Sequence, residues 1–342
     1  MTAPFVRLDP LFGDARADAM LRLAERFGRF PTYGAEAAPE EKGKRRYAPG
    51  VPQRYDAALH FVRTGGRFGR REDPRVLAGR TNYLRATYFY ERPAVDGIEP
   101  FLHHPALAEA ARAVHGRPIV VPSIVYANLL LPGQELAVHT DVPEFRGADR
   151  RVCPQWLLVV MLHSGLFAAW RRPIATGIAY FGGCAGGALA FHPDGPDGPA
   201  RTIEARHDTA VVLDTDTVFH GVDRVAGPGD DAPPFRPGME LVAETDGSWR
   251  LVAGGDTLAR YRWDDLRYSV SWKAWCYADE ADRRRAERHE DDLSLDRILA
   301  ILEDDLRARG LLAGPRPDED AFARLLIDTH IRFPTPEGRP RT

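Results

Sequence analysis

The stretch LPGQELAVHTD, residues 131–141, sets a histidine and an aspartate two positions apart, directly after an apolar run and a Pro-Gly turn. In a β-strand, residues i and i+2 point to the same face. His139 and Asp141 would therefore aim an imidazole and a carboxylate at one point, and both groups are metal ligands. Alone, such a triplet is common by chance. Two further features give it weight. His220, in VFHGV (218–222), ends a second apolar strand. Arg267 and Ser269, in RYS, are again two apart at the start of a third strand. A guanidinium grips a carboxylate through paired charge-assisted hydrogen bonds, and a neighbouring hydroxyl adds another.

Two neutral imidazoles and one carboxylate from separate strands form the ligand set of non-haem Fe(II) oxygenases. The ion keeps about one net positive charge, and one face stays open for cosubstrate and O₂. An arginine with a serine two positions on along the same strand suits an anionic dicarboxylate that also chelates iron.

These residues need strands to carry them. The runs PIVVPSIVYANLLLPG (118–133), QWLLVVMLHSG (155–165), ATGIAYFGG (175–183), GGALAFHP (186–193), TAVVLDTDTVFHGV (209–222) and RYSVSWKAWCYA (267–278) are short, apolar, and separated by Gly, Pro or Asp clusters. All six read as strands of a sandwich or barrel. Asp246-Gly247 joins two more strand-like runs, so 226–266 reads as an inserted hairpin. Helical spacing marks 14–28, capped by Asp14 and ended by Gly28, and 104–116, with Pro105 in its first turn and Gly116 past its end. A short helix is expected at 56–63, with a loop over 31–55. The charged stretches 279–310 and 317–331 read as C-terminal helices. The expected organisation is a single domain, 1–342: a helical and loop buttress over 1–117, a β core over 118–278 with the hairpin insert, and helices over 279–342.

Bulk properties exclude several classes. The chain has 342 residues, a formal net charge of −3, 44% hydrophobic and 28% charged residues, an ordinary balance for a globular protein. It points to neither nucleic acid nor an anionic membrane as partner. Most of the 46 basic residues are arginine, which reads as coding bias. Three scattered cysteines argue for a reducing compartment. No signal peptide or membrane-spanning run is evident, so the expected location is cytoplasmic.

The motifs LPGQELAVHTD, GGALAF, VFHGV and RYS resemble, in that order, those of the Fe(II)- and 2-oxoglutarate-dependent oxygenases, especially the prolyl-hydroxylase-like branch. The resemblance covers roughly 118–278. It implies a double-stranded β-helix (jelly-roll, cupin-like) core. It implies Fe(II) bound by His139, Asp141 and His220. It implies 2-oxoglutarate and O₂ as cosubstrates, with ascorbate as an aid, and a salt bridge from Arg267 to the distal carboxylate of 2-oxoglutarate, helped by Ser269. Tyr126 and Asn128 share one strand face ahead of His139 and are carried as cosubstrate contacts, with core packing as the alternative. In that branch the basic residue follows the second histidine by about ten positions; here the separation is 47, which the insert 226–266 accounts for if both its ends return to one sheet. Arg224 is nearer but sits in a turn region and ranks behind Arg267. Asp141 speaks against halogenation, which needs a small residue there.

Other residues carry blander readings. His163 and His192 end strands. His103-His104 cap the helix that follows. Arg150-Arg151, Trp170 and Arg171-Arg172 read as solvated loop residues, with a substrate entrance as the alternative. The expected activity is hydroxylation of an unactivated C–H of a small molecule, such as an amino acid or biosynthetic intermediate. A protein or peptide residue as substrate, an iron oxygenase without 2-oxoglutarate, and a non-enzymatic metal- or ligand-binding sensor stay open.

Overall fold

The computed structural model describes residues 2–13, 15–33, 47–54, 83–226, 233 and 236–334. The expected helix at 56–63 and the capping Asp14 lie outside them. Two antiparallel sheets face each other. The larger has seven strands: β1 (Phe5–Leu8), β12 (Thr209–Leu213), β9 (Ile174–Phe181), β17 (Arg267–Tyr277), β5 (Ile119–Leu130), β3 (Leu84–Tyr90) and β4 (Arg92–Pro93), in that spatial order. The smaller has four: β11 (Arg201–Ile203), β10 (Leu189–Phe191), β13 (His220–Val222) and β6 (Leu136–His139). This mainly antiparallel two-sheet core fits a cupin-like double-stranded β-helix. Ile178, Tyr180, Val211 and Leu213 of the larger sheet pack on Leu189, Phe191 and Ile203 of the smaller, filling one end of the sandwich.

Strand alternation divides the larger sheet into two faces. Tyr268, Val270, Trp272 and Ala274 of β17 join the main core beneath α1 (Arg16–Phe27) and α3 (Pro105–His115). The alternate residues Arg267, Ser269, Ser271 and Lys273 consequently face the smaller sheet. Gly28 and Gly116 end α1 and α3 in the left-handed conformation, at φ 78° and 62°. His104 is the N-cap residue of α3, but its side chain makes no capping bond, so the expected His103-His104 cap is not formed. The four-residue α2 (Glu99–Leu102) leads into it.

Three sequence expectations are corrected. Residues 155–164 form a helix, α4 (Gln155–Ser164), not a strand. Apolar on all sides, this run has no periodicity to separate helix from strand. Pro154 precedes it and Gly165 stops it at φ 73°. It is buried because α6 (Leu295–Ala308) and α7 (Glu319–His330) cover it, forming a second core of Trp156, Leu302, Phe322 and neighbours. His163 therefore ends a helix. Second, the N-terminal segment is more than a buttress of helices and loops: β1 and β3 are strands of the larger sheet.

Third, the insert is larger than a hairpin. β14 (Glu240–Ala243), β15 (Trp249–Ala253) and β16 (Asp256–Tyr261) form a meander completed by β2 (Arg29–Pro31). The Asp246-Gly247 turn is present, with Gly247 at φ 78°. Leu241, Trp249 and Leu251 anchor the meander in the main core. Its ends do not return to one sheet: β13 belongs to the smaller and β17 to the larger. The insert crosses the sandwich. β7 (Glu144–Phe145) and β8 (Arg171–Arg172) form a short ribbon, and α5 (Glu280–Glu287) follows β17. Among the described residues no helix is long and apolar enough to cross a membrane.

Candidate metal centre

The turn that feeds β6 is fixed from within. The Leu131 N–H donates to Gln134 Oε1 (2.9 Å), the Gln134 N–H donates to Leu131 O (3.0 Å), and the Gly133 N–H donates to Val225 O (2.9 Å). β6 then pairs with β13, and His139 and His220 are direct partners in that ladder. The pairing shifts register between His220 and Val222, a bulge of the kind that re-aims a side chain. Gly221 sits at the shift. A Cβ there would lie 2.7 Å from Leu136 O, so only glycine permits this approach.

The neighbours of the ligands clamp them from behind. Val138, Val142 and Phe219 enter the second core, which leaves His139, Asp141 and His220 to face inward. The Asp141 N–H donates to Thr215 O (2.8 Å), and Thr215 Oγ1 bonds Thr176 Oγ1 (2.7 Å). The loop 214–217 thereby sets where the carboxylate stands.

One candidate ligand atom from each of His139, Asp141 and His220 lies within 4.8 Å of the others. Asp141 Oδ1 is 3.7 Å from His139 Nε2 and 3.9 Å from His220 Nε2. Each Nδ1 meets a backbone carbonyl, Ala137 O at 2.6 Å and Val218 O at 2.9 Å. A carbonyl can only accept, so both Nδ1 atoms carry the proton and both Nε2 lone pairs face the gap. Burial first, and then the neighbouring His139, lower the His220 pKa to about 4, so its ring stays neutral. Burial alone would raise the pKa of Asp141, but the Lys273 ammonium and the two imidazoles hold it well below the usual carboxylate range. Two imidazoles presenting Nε2 and an ionised carboxylate converging on one point fit a ferrous ion.

Lys273 was not singled out from the sequence. Its Nζ donates to Asp141 Oδ2 at 2.7 Å. The signal was available, since R-x-S-x-S-x-K continues the alternation already noted for Arg267 and Ser269.

Arg267 and Ser269 are adjacent and buried. Arg267 Nε donates to Gly187 O (2.6 Å), Nη1 donates to Ser269 Oγ (3.1 Å), and the guanidinium lies 5.1 Å from the Tyr180 ring centre. Gly187, at φ 64°, admits the side chain: a Cβ would fall 2.6 Å from Arg267 Cδ. Tyr126 and Asn128 lie on the same inward face, opposite Ser271 and Ser269. Asn128 Oδ1 is buried without a hydrogen-bond partner among the described residues. The Arg85 guanidinium stacks over Tyr126, 3.6 Å from its centre. Arg85 was also missed, although LRATYFY (84–90) alternates cleanly.

The arginines read as solvated loop residues divide. Arg151 pairs at the surface with Asp149. Arg171 donates to both oxygens of the Asp214 carboxylate (2.8 Å each), and its guanidinium is 3.6 Å from the fully buried Asp216. Arg172 stacks on Trp275 at 4.5 Å. Trp170 Nε1 donates to Asp291 O (3.0 Å). Trp170, Arg171 and Arg172 are thus half-buried and held by partners, not solvated loop residues.

No protein-family model matches the chain, and no curated protein matches it in sequence. Solved structures do match. HygX from Streptomyces hygroscopicus, crystallised with nickel, 2-oxoglutarate and hygromycin B, is 11% identical, with 80% of this chain and 84% of that one covered, at a TM-score of 0.40. The viral collagen prolyl hydroxylase of Paramecium Bursaria Chlorella virus-1, as its 2-oxoglutarate complex, is 11% identical, covering 80% and 96%, at 0.38. The non-heme alpha ketoglutarate dependent carbocyclase SnoK from nogalamycin biosynthesis is 9% identical, covering 80% and 79%, at 0.39.

Proposed function

We propose that the chain is an Fe(II)- and 2-oxoglutarate-dependent oxygenase that hydroxylates an unactivated C–H of a small molecule. The observation that carries this reading is the convergence of His139 Nε2, His220 Nε2 and Asp141 Oδ1 between two sheets, with a buried Arg267–Ser269 pair on the facing strand. His139, Asp141 and His220 would hold the ion. Arg267 and Ser269 would receive the distal carboxylate of 2-oxoglutarate, because a buried guanidinium with a hydroxyl beside it matches a carboxylate in charge and shape. Asn128, whose side-chain NH2 would be the donor to a carboxylate, and Tyr126 line the same face of the neighbouring strand. When bound, the metal and cosubstrate supply the oxidation: substrate, O₂ and 2-oxoglutarate become hydroxylated substrate, succinate and CO₂. The protein's part is to orient three ligands and one dicarboxylate.

A small molecule is the preferred substrate, and a residue of a protein or peptide is the alternative. The test is succinate formation by the purified protein with Fe(II), ascorbate and 2-oxoglutarate under air, with pools of amino acids and metabolites, beside His139→Ala. Succinate from the wild type alone supports the reading, and the stimulating pool begins to name the substrate. Iron binding without succinate in any pool would transfer the site to an oxygenase that does not use 2-oxoglutarate, or to a sensor.

A further inference from the structure

We propose that Lys273 is a positioning residue of the metal site: by holding Oδ2 of Asp141 it makes that carboxylate a one-oxygen ligand and keeps a third coordination position open. The inference rests on the reading of His139, Asp141 and His220 as the ligands.

The two oxygens of Asp141 are already divided. Oδ1 stands on the imidazole side, 3.7 and 3.9 Å from the two Nε2 atoms. Oδ2 accepts from Lys273 Nζ at 2.7 Å. A carboxylate bound through both oxygens takes two of six positions on an ion. With two imidazoles present, only two would remain, and a chelating 2-oxo acid fills both. Bound through one oxygen, the same carboxylate leaves three, enough for the chelate and O₂.

The residue type suits the task. A lysine ammonium is a compact point donor, whereas an arginine fork tends to take both oxygens at once. Lys273 is also fixed in place. It lies in the middle of β17, paired with Thr176 on one side and Ile124 on the other, and its side chain is 13% exposed. Among the described residues its ion pair is with Asp141 alone. Because Asp141 follows β6 of the smaller sheet, the pair spans the sandwich, and the facing sheet sets the orientation of the carboxylate.

Mn(II), loaded into the full chain in place of iron, tests this by water-proton relaxation, which reports the water positions on the ion, together with 2-oxoglutarate titration. The wild type is expected to hold three exchangeable waters and to retain one when 2-oxoglutarate binds. In Lys273→Met the released Oδ2 joins the ion. The relaxation enhancement then drops by about a third and nearly vanishes with 2-oxoglutarate bound. Wild-type enhancement in this variant, with and without 2-oxoglutarate, overturns the proposal. If the unpaired Asp141 stops that variant folding, Lys273→Arg decides. A fork engaging both oxygens competes with the ion and weakens Mn(II) binding by about tenfold or more; unchanged binding rejects the proposal. A folded wild type that binds no Mn(II) is a different result, since it removes the metal-site reading itself.

Discussion

His139 and His220 face each other across the β6–β13 ladder, their ring centres 4.5 Å apart. Residues far apart in sequence thus share one rung, and a slip of one residue would turn one ring to the opposite face. Neither ring is replaceable by packing. His139→Ala is expected to lower divalent-metal affinity by at least about a hundredfold, more than loss of a supporting residue costs. Calorimetric titration with Mn(II) checks this; an unchanged affinity would place the metal elsewhere.

Arg267→Ala should act on cosubstrate binding. Losing a buried charge-assisted pair is worth about 2–3 kcal/mol, which is a rise of about 30- to 150-fold in the KM for 2-oxoglutarate, with a smaller change in kcat. Succinate release against 2-oxoglutarate concentration measures it. An unmoved KM means that Arg267 is not the anchor.

Gly187→Ala should reproduce part of that effect without touching a charge. The new methyl would strain a left-handed residue, at a cost of about 1 kcal/mol or more, and would push on Arg267 Cδ. Both a lower melting temperature and a raised KM for 2-oxoglutarate are expected. A drop in stability with an unchanged KM would show that Arg267 has room to move.

Asn128→Ala separates contact from packing. Its Oδ1 has no partner among the described residues, so removing it leaves no hydrogen bond broken at that atom, and stability should change by less than about 1 kcal/mol. If Asn128 meets the cosubstrate, the KM for 2-oxoglutarate rises several-fold. A constant KM assigns the residue to packing.

Asp216 sets a pH dependence. Burial first, and then the charge of Asp214, raise its pKa from 3.8 to about 7, against the pull of Arg171. The folded protein therefore binds a proton here that the unfolded chain has already lost across that window. The contribution to stability is complete below about pH 4 and is lost as pH rises through 7. Asp216→Asn removes this slope and should stabilise the protein at pH 8 by on the order of 2–4 kcal/mol. Urea unfolding of both proteins at pH 5 and pH 8 tests it; equal slopes would mean that Asp216 is ionised throughout.

The sequence by itself determined the ingredients whose logic is local. R-x-S pairs residues on one strand face, and H-x-D carries the same alternation just past the end of β6, because extended backbone has a period of two, a rule that needs no partner strand. α3 was legible from Pro105 and Gly116, and the insert's turn from Asp246-Gly247, because caps and tight turns are set by a few φ angles. Only the tertiary structure decided the rest. Residues 155–164 are apolar on every side, so their helix is fixed by what encloses them: the C-terminal helices on one side and the ligand strands on the other. The strand LRATYFY gains its meaning from pairing with β5. The insert ends in opposite sheets, a fact about closure of the sandwich that no window of sequence contains. Lys273 shows the division most plainly. Its place on an inward strand face could be read from alternation, but its partner could not, because Asp141 reaches it across the gap between two sheets. An ion pair of that kind depends on the distance between sheets, which is set by how their cores pack.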